Sequence, residues 1–191
     1  MYDTESDPYC HPGTTIRVNK LNLRDQALLD AFEEEMVLTR SEEALPSGRL
    51  TVRQYLAGYR HFFQDVYGCA GRIRTVEVSK GGSAFCRIEF IDAQLKKLFA
   101  WLAARDRLKD LSRPEFVEGA AHFLSELNVI HPFRDGNGRA QMTFMAEMAR
   151  RAGHPLSLER LEREAFIPAM IESYRGDLTP LVDQFDVLTR P

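Results

Sequence analysis

Apolar and polar positions follow two different periods along this chain. After Asp25, the residues Leu28, Leu29, Phe32 and Met36 recur at helical spacing, and the pattern fades at Leu45-Pro46-Ser47-Gly48, a turn signal. Thr51 followed by Gln54 reads as a capping box. Tyr55, Leu56, Tyr59, Phe62, Phe63 and Val66 then predict a strongly amphipathic helix. In "RIRTVEVSKGGSAFCRIEFID" the period becomes two: Cys86, Ile88 and Phe90 alternate with Arg87 and Glu89. With the turn at Ser79-Lys80-Gly81-Gly82-Ser83, this predicts a β-hairpin over 72–90. A lone hairpin is marginal in water, so it packs on helices or serves as a mobile flap.

Helical spacing then resumes. Asp92 is placed to cap a helix carrying Leu95, Leu98, Phe99 and Leu102. Ser112 and Glu115 form a second capping box, with Pro114 in the first turn and Phe116, Val117, Ala120, Phe123, Leu124 and Leu127 following on one face. Met145, Met148 and Ala152 continue a later helix that stops at Gly153. From Ser157 the tail predicts one or two helices interrupted near Pro168, a turn at Gly176-Asp177 and a short helix from Pro180. Residues 1–20, which hold "DPYCHPGTT", read as an extended leader. No repeat or domain boundary interrupts the chain, so the expectation is a mainly α fold: one helical domain over 1–191 with a single β-hairpin.

Composition narrows the function classes. The chain has 191 residues, enough for one domain with a sizeable core, and 44% hydrophobic with 28% charged residues suits a soluble globular protein. A net charge of −3 argues against direct nucleic-acid binding as the main task, which needs clustered Lys and Arg. There is no apolar run of membrane-spanning length and no signal peptide. The three cysteines, Cys10, Cys69 and Cys86, form no CxxC pair, which points to a reducing cytoplasm.

The chemistry concentrates in "NVIHPFRDGNGRAQ", Asn128 to Gln141. Pro132 disfavours helical geometry at His131, so the preceding helix ends there, and a second helix is expected to start near Arg139. Gly136 and Gly138 ahead of a helix N-terminus let backbone N–H groups converge on an anion. Asn137 adds an amide donor, Arg139 a guanidinium suited to phosphate oxygens, and Asp135 a hard oxygen ligand of the kind Mg²⁺ uses when it also bridges phosphates. His131 can take a proton near neutral pH, and Phe133 reads as an anchor pointing into the core. Singly, these residues read as a helix terminus, turns and a solvated Arg. Together they describe a nucleotide phosphate site with a hydroxyl nucleophile nearby. A zinc site from His122 and His131 fits no familiar ligand spacing.

"HPFRDGNGR" resembles the signature of the Fic family, His-Pro-Phe-x-(Asp/Glu)-Gly-Asn-Gly-Arg, and matches every defined position. The likeness extends to "FFQDVYGCAGRIRTVEVSKGGSAFCRIEFI", with Cys69 where the family commonly has Trp, to "DPYCHPGTTIRVNKLN" and to "IESYRGDLTPL". The resemblance implies a protein adenylyltransferase that moves AMP from ATP to a protein hydroxyl. By the motif match, His131 is the general base. Asp135 holds Mg²⁺. Gly136, Asn137 and Gly138 stabilise charge at the α-phosphate, and Arg139 holds the outer phosphates. Ser79, Lys80, Gly81, Gly82, Ser83, Ala84 and Phe85 form the flap segment against which the target pairs as an added strand.

Doc-type relatives, which phosphorylate instead, carry Lys where this chain has Gly138. Other relatives transfer UMP or phosphocholine. Many members carry a second Arg where this chain has Met142, which leaves a weakly active binding module as the reading from a different class. The family's inhibitory pattern, (Ser/Thr)-x-x-x-Glu-(Gly/Asn), finds its nearest match at Thr39 to Ala44 and fails at the last position. The resemblance therefore implies the toxin of a bacterial toxin–antitoxin pair, cytoplasmic and inhibited by a separate small antitoxin. The ATPase subunits of DNA gyrase and topoisomerase IV are the implied targets. Residues near Tyr174 to Leu181 are candidates for the adenine pocket.

Overall fold

A computed structural model describes residues 7–190, so the first six residues of the predicted leader lie outside the described residues. The chain divides into two compact units. One holds the residues up to Ile88 together with Pro132–Gly136; the other holds Glu89–His131 and the chain from Asn137 on.

In the first unit the described part of the leader, from Asp7 on, turns back on itself. The His11 N–H donates to the Ile16 carbonyl and the Val18 N–H to the Tyr9 carbonyl, both at 2.8 Å, with Cys10 opposite Arg17. The reversal is made by Pro12-Gly13-Thr14: Gly13 takes a positive φ of 72°, and the Thr14 hydroxyl donates to the His11 carbonyl. Helix α1, Gln26–Ser41, is capped by the Asp25 carboxylate, which accepts from the Leu28 N–H at 3.0 Å. Its inner face carries Leu29 and Glu33, whereas Leu28 is 60% exposed. Adjacent positions lie about 100° apart on a helix, so only one of the two leucines can face inward.

Helix α2, Val52–Phe63, packs against α1 and buries Tyr55, Tyr59, Phe62 and Phe63. Thr51 accepts from the Gln54 N–H as expected, but the Gln54 side chain accepts from the Leu50 N–H at 2.6 Å, so the reciprocal half of the box is not made. The hairpin is shorter than predicted. Strands β1, Ser79–Lys80, and β2, Ser83–Ala84, pair antiparallel with Ser79 opposite Ala84. Gly81 and Gly82 supply φ of 58° and 79°, the geometry of a tight two-residue turn. Ile88 and Phe90 lie in a 3₁₀ turn, not a strand. The physical reason is Arg74: its buried guanidinium donates to the carbonyls of Val76 and Cys86, so a side chain takes the place of a ladder between the two runs.

In the second unit, helices α3 (Ile91–Ala104), α5 (Asn137–Ala152), α6 (Arg163–Arg175) and α7 (Thr179–Leu188) pack around α4 (Arg113–Ile130). Phe116, Phe123, Leu124, Leu127, Met145, Met148 and Phe185 are buried there. The Ser112–Glu115 capping box forms both of its bonds. Asp92 does not cap α3: the helix begins at the fully buried Ile91, so Asp92 falls in the first turn and pairs with Lys96 at 2.5 Å. Pro168 does not interrupt the tail. It lies inside α6, whose buried Phe166, Ala169 and Ser173 flank it on one face, and packing on α4 and α7 offsets the missing N–H. Among the described residues, no helix is long and apolar enough to cross a membrane.

Candidate active-site loop

The motif residues belong to both units: Pro132–Gly136 to the first, His131 and the residues from Asn137 on to the second. In the second unit, His131 ends α4 in the left-handed conformation, φ 47° and ψ 62°. Pro132 excludes the helical alternative, and the His131 N–H donates to the Leu127 carbonyl at 3.1 Å. Left-handed backbone is costly for a side chain with a Cβ and concentrates at functional positions. The imidazole Nδ1 lies 3.2 Å from the Asn128 carbonyl. A carbonyl only accepts, so Nδ1 carries the proton and the lone pair of the neutral ring sits on Nε2.

Helix α5 begins at Asn137, two residues earlier than expected, because Gly138 takes ordinary helical geometry and Gly136 alone makes the break. The first-turn N–H groups of Asn137, Gly138 and Arg139 therefore sit at the positive end of a 16-residue helix. Asn137 is buried, and Gly138 and Arg139 are exposed. Beyond its chain neighbours and its own helix backbone, a Cβ at Gly138 would meet nothing within 4 Å, so packing does not require the glycine there. Met142, on the next turn of α5, is half-buried. Arg150 and Arg151 both pair with Glu147.

In the first unit, Pro132–Gly136 is held at every residue. The Pro132 carbonyl accepts from the Arg74 N–H at 2.8 Å. Phe133 is fully buried and stacks on Tyr59, ring centroids 3.7 Å apart and planes 9° from parallel. The Arg134 guanidinium donates from Nε to the Asp7 carboxylate at 2.6 Å. Burial works to raise the Asp7 pKa, but the bonds from Arg134 and from the Tyr9 N–H outweigh it and hold the carboxyl below its usual range.

The two oxygens of Asp135 have different surroundings. Oδ1 accepts from the Gly136 N–H at 2.7 Å, and Oδ2 lies 3.3 Å from Nη2 of Arg17. Nη2 also donates to Oε2 of Glu33 at 2.6 Å, and the guanidinium lies over the Tyr67 ring, 4.1 Å from its centroid. The Tyr67 hydroxyl donates to the same Glu33 oxygen; burial raises its pKa and keeps it protonated. Gly136 is sterically required: its φ is 72°, and a Cβ would stand 2.6 Å from Cζ of Phe63.

Sequence reasoning singled out the loop but not Asp7, Arg17, Glu33 or Tyr67. One signal was available: Glu33 follows Leu29 by four positions, which puts an acid on the buried stripe of α1. The flap residues Lys80, Gly81, Gly82 and Ala84 are exposed, and Ser79, Ser83 and Phe85 are half-buried, on a sheet of two strands that are both edges.

Among the described residues no three His, Cys, Asp or Glu side chains form a cage, and Asp135 offers a single carboxylate. That suits Mg²⁺, which keeps several waters and binds through one or two carboxylates plus substrate phosphates.

Comparison with known proteins identifies relatives of the whole chain. Residues 49–149 match the model of the Fic/DOC family. The chain is 48% identical over 181 residues to the "Probable protein adenylyltransferase y4lH" of Sinorhizobium fredii, with 94% of each chain covered. It is 36% identical over 177 residues to the "Probable protein adenylyltransferase Fic" of Escherichia coli, covering 92% of this chain and 88% of that one. The fold is similar to that of BepC, a VirB-translocated effector protein of Bartonella tribocorum whose crystal structure contains AMPPNP. The TM-score is 0.83, the identity 27% and the coverage 96% of each chain.

Proposed function

We propose, for a chain that belongs to the Fic/DOC family and is a protein adenylyltransferase of the Fic type, that residues 131–139 transfer AMP from ATP to a hydroxyl side chain of a target protein. The observation that carries this reading is the 3.2 Å contact of His131 Nδ1 with the Asn128 carbonyl: a proton on Nδ1 is given to that carbonyl, which leaves Nε2 to take the proton of the attacking hydroxyl. Asn137 and the N–H groups of Gly136 and Gly138 hold the charge that develops at the α-phosphate. The open space around Gly138 lets a phosphate approach the backbone closely. Arg139 holds the outer phosphates that leave as pyrophosphate. Asp135 would hold Mg²⁺, which when bound neutralises phosphate charge. The remainder of the catalysis is positioning.

The flap, Ser79 to Phe85, aligns the target by backbone pairing to a sheet edge, so one hydroxyl faces His131 whatever the neighbouring side chains are. The whole chain, 1–191, works as one Fic domain, with a leader over 1–20 and a flap over 72–90. Its target is a tyrosine on the ATPase subunit of DNA gyrase or topoisomerase IV, in a bacterial cytoplasm. A separate small antitoxin carrying a (Ser/Thr)-x-x-x-Glu-(Gly/Asn) helix inhibits it. Met142 favours a second reading, weak turnover with the partner interaction as the main task, because no second arginine follows Arg139 by one turn.

The test offers purified protein, Mg²⁺ and bacterial lysate ATP labelled at the α- or the γ-phosphate, with His131→Ala as control. Label from α alone, lost in the variant, is expected, and the labelled band identifies the target. Label from γ alone means phosphorylation and overturns the AMP reading.

A further inference from the structure

Behind Asp135 the first unit contains a line of charges that the motif does not include. Glu33, Arg17 and Asp135 share one guanidinium nitrogen, at 2.6 Å on the Glu33 side and 3.3 Å on the Asp135 side. The group carries one positive and two negative charges. The two carboxylates are not equivalent. The Glu33 side chain is 11% exposed and makes the short bond to Arg17, and that of Asp135 is 40% exposed at the longer contact. A buried carboxylate is costly unless charge and hydrogen bonds compensate it, and here both Arg17 and the Tyr67 hydroxyl do so.

We propose that Glu33 and Arg17 are positioning residues that set the hold of Asp135 on a divalent cation. Glu33 takes up the guanidinium charge, and Arg17, so occupied, orients Asp135 without neutralising it. The group as a whole keeps one negative charge, and the exposed carboxylate at its outer end is where a cation can collect it. Without Glu33 the same guanidinium faces Asp135 alone, and the pair presents no net charge to a metal. The proposal rests on reading Asp135 as the Mg²⁺ ligand.

The experiment is calorimetric titration of the full chain with AMPPNP, with and without Mg²⁺. It reads the gain in affinity that Mg²⁺ confers. In Glu33→Gln, whose amide oxygen still accepts from Tyr67, the gain is expected to fall about tenfold, from one unit charge at short range. Metal-free affinity for the polyanion is expected to stay level or rise, which general damage to the site would not produce. In the double variant Arg17→Gln/Glu33→Gln the net charge of the group, Asp135 included, returns to minus one, and the gain is expected to recover to within about threefold of the parental value. If Glu33→Gln does not fold, Glu33→Asp is read in its place, with a smaller fall in the same direction. An unchanged gain in the single variant, or a double variant no better than the single, overturns the proposal. Asp135→Asn separates the two readings. If it keeps the full gain, Asp135 is not the metal's ligand and both readings fall; if it loses the gain while Glu33→Gln does not, this proposal alone falls.

Discussion

Asp7 of the leader and Arg134 of the active-site loop, 127 positions apart in the chain, form a hydrogen-bonded ion pair with both side chains nearly buried. The next loop residue, Asp135, has the opposite charge and meets a leader residue of the opposite sign, Arg17. Two consecutive loop positions are thus fastened to a segment that sequence reasoning treated as a plain extension.

The Asp7 pair gives a pH signature. Its folded pKa lies below the unfolded value, so its stabilising contribution is fully present above about 3.9 and is lost as pH falls through the lower folded value. Asp7→Asn is expected to cost about 2 kcal/mol at pH 7 in denaturant titrations. The gap to the parental chain should close as the pH falls below about 3.9. A gap that persists in acid would show that the loss comes from something other than the charge.

Gly136→Ala tests the tightest point of the loop. The substitution meets a left-handed backbone and a Cβ position 2.6 Å from Phe63, so destabilisation of about 3 kcal/mol is expected. Gly138→Ala has neither obstacle from the protein and should leave stability within about 1 kcal/mol, while AMPPNP affinity falls if phosphate approaches that backbone. Melting curves and calorimetry on the two variants make the comparison.

His131 pairs a chemical role with an unfavourable backbone. His131→Ala and His131→Gly are both expected to lower transfer by about a hundred- to ten-thousand-fold. Of the two, the glycine variant should be the more stable by about 1 kcal/mol, because φ 47° is cheap only without a Cβ. Equal stabilities would mean that the chain relaxes out of the left-handed conformation once the imidazole is gone.

The flap turn separates target docking from nucleotide chemistry. Gly81→Val/Gly82→Val leaves nothing to clash but forces two β-branched residues into positive φ, which should open the hairpin. Label transfer to the protein target is then expected to fall at least tenfold with AMPPNP affinity unchanged, as measured by α-labelled ATP and calorimetry. Unimpaired transfer would remove the flap from target recognition.

The parts of this fold that were legible in the sequence are those written in local chemistry. The Ser112–Glu115 box, the stop at Gly153, the break at His131-Pro132 and the Gly81-Gly82 turn each depend on a few neighbouring residues, and each stands where the pattern put it. What was not legible depends on distant partners. The hairpin shrank because Arg74 spends its donors on Val76 and Cys86. Helix α6 runs through Pro168 because apolar packing outweighs a local breaker. At the loop, the residue types were visible, but the leader and α1 residues that hold Asp135 and Arg134 carry no spacing relation to them.

The distance along the chain between Asp7 and Arg134 has a kinetic consequence. A ribosome adding about 5–20 residues per second releases the leader many seconds before the loop that fastens it exists. A contact of such long separation costs more loop-closure entropy than a local one, so it slows folding more than a local contact would. The nascent chain therefore passes through most of its synthesis with its phosphate-binding loop unmade. The loop can be fastened only when both segments of the first unit have emerged.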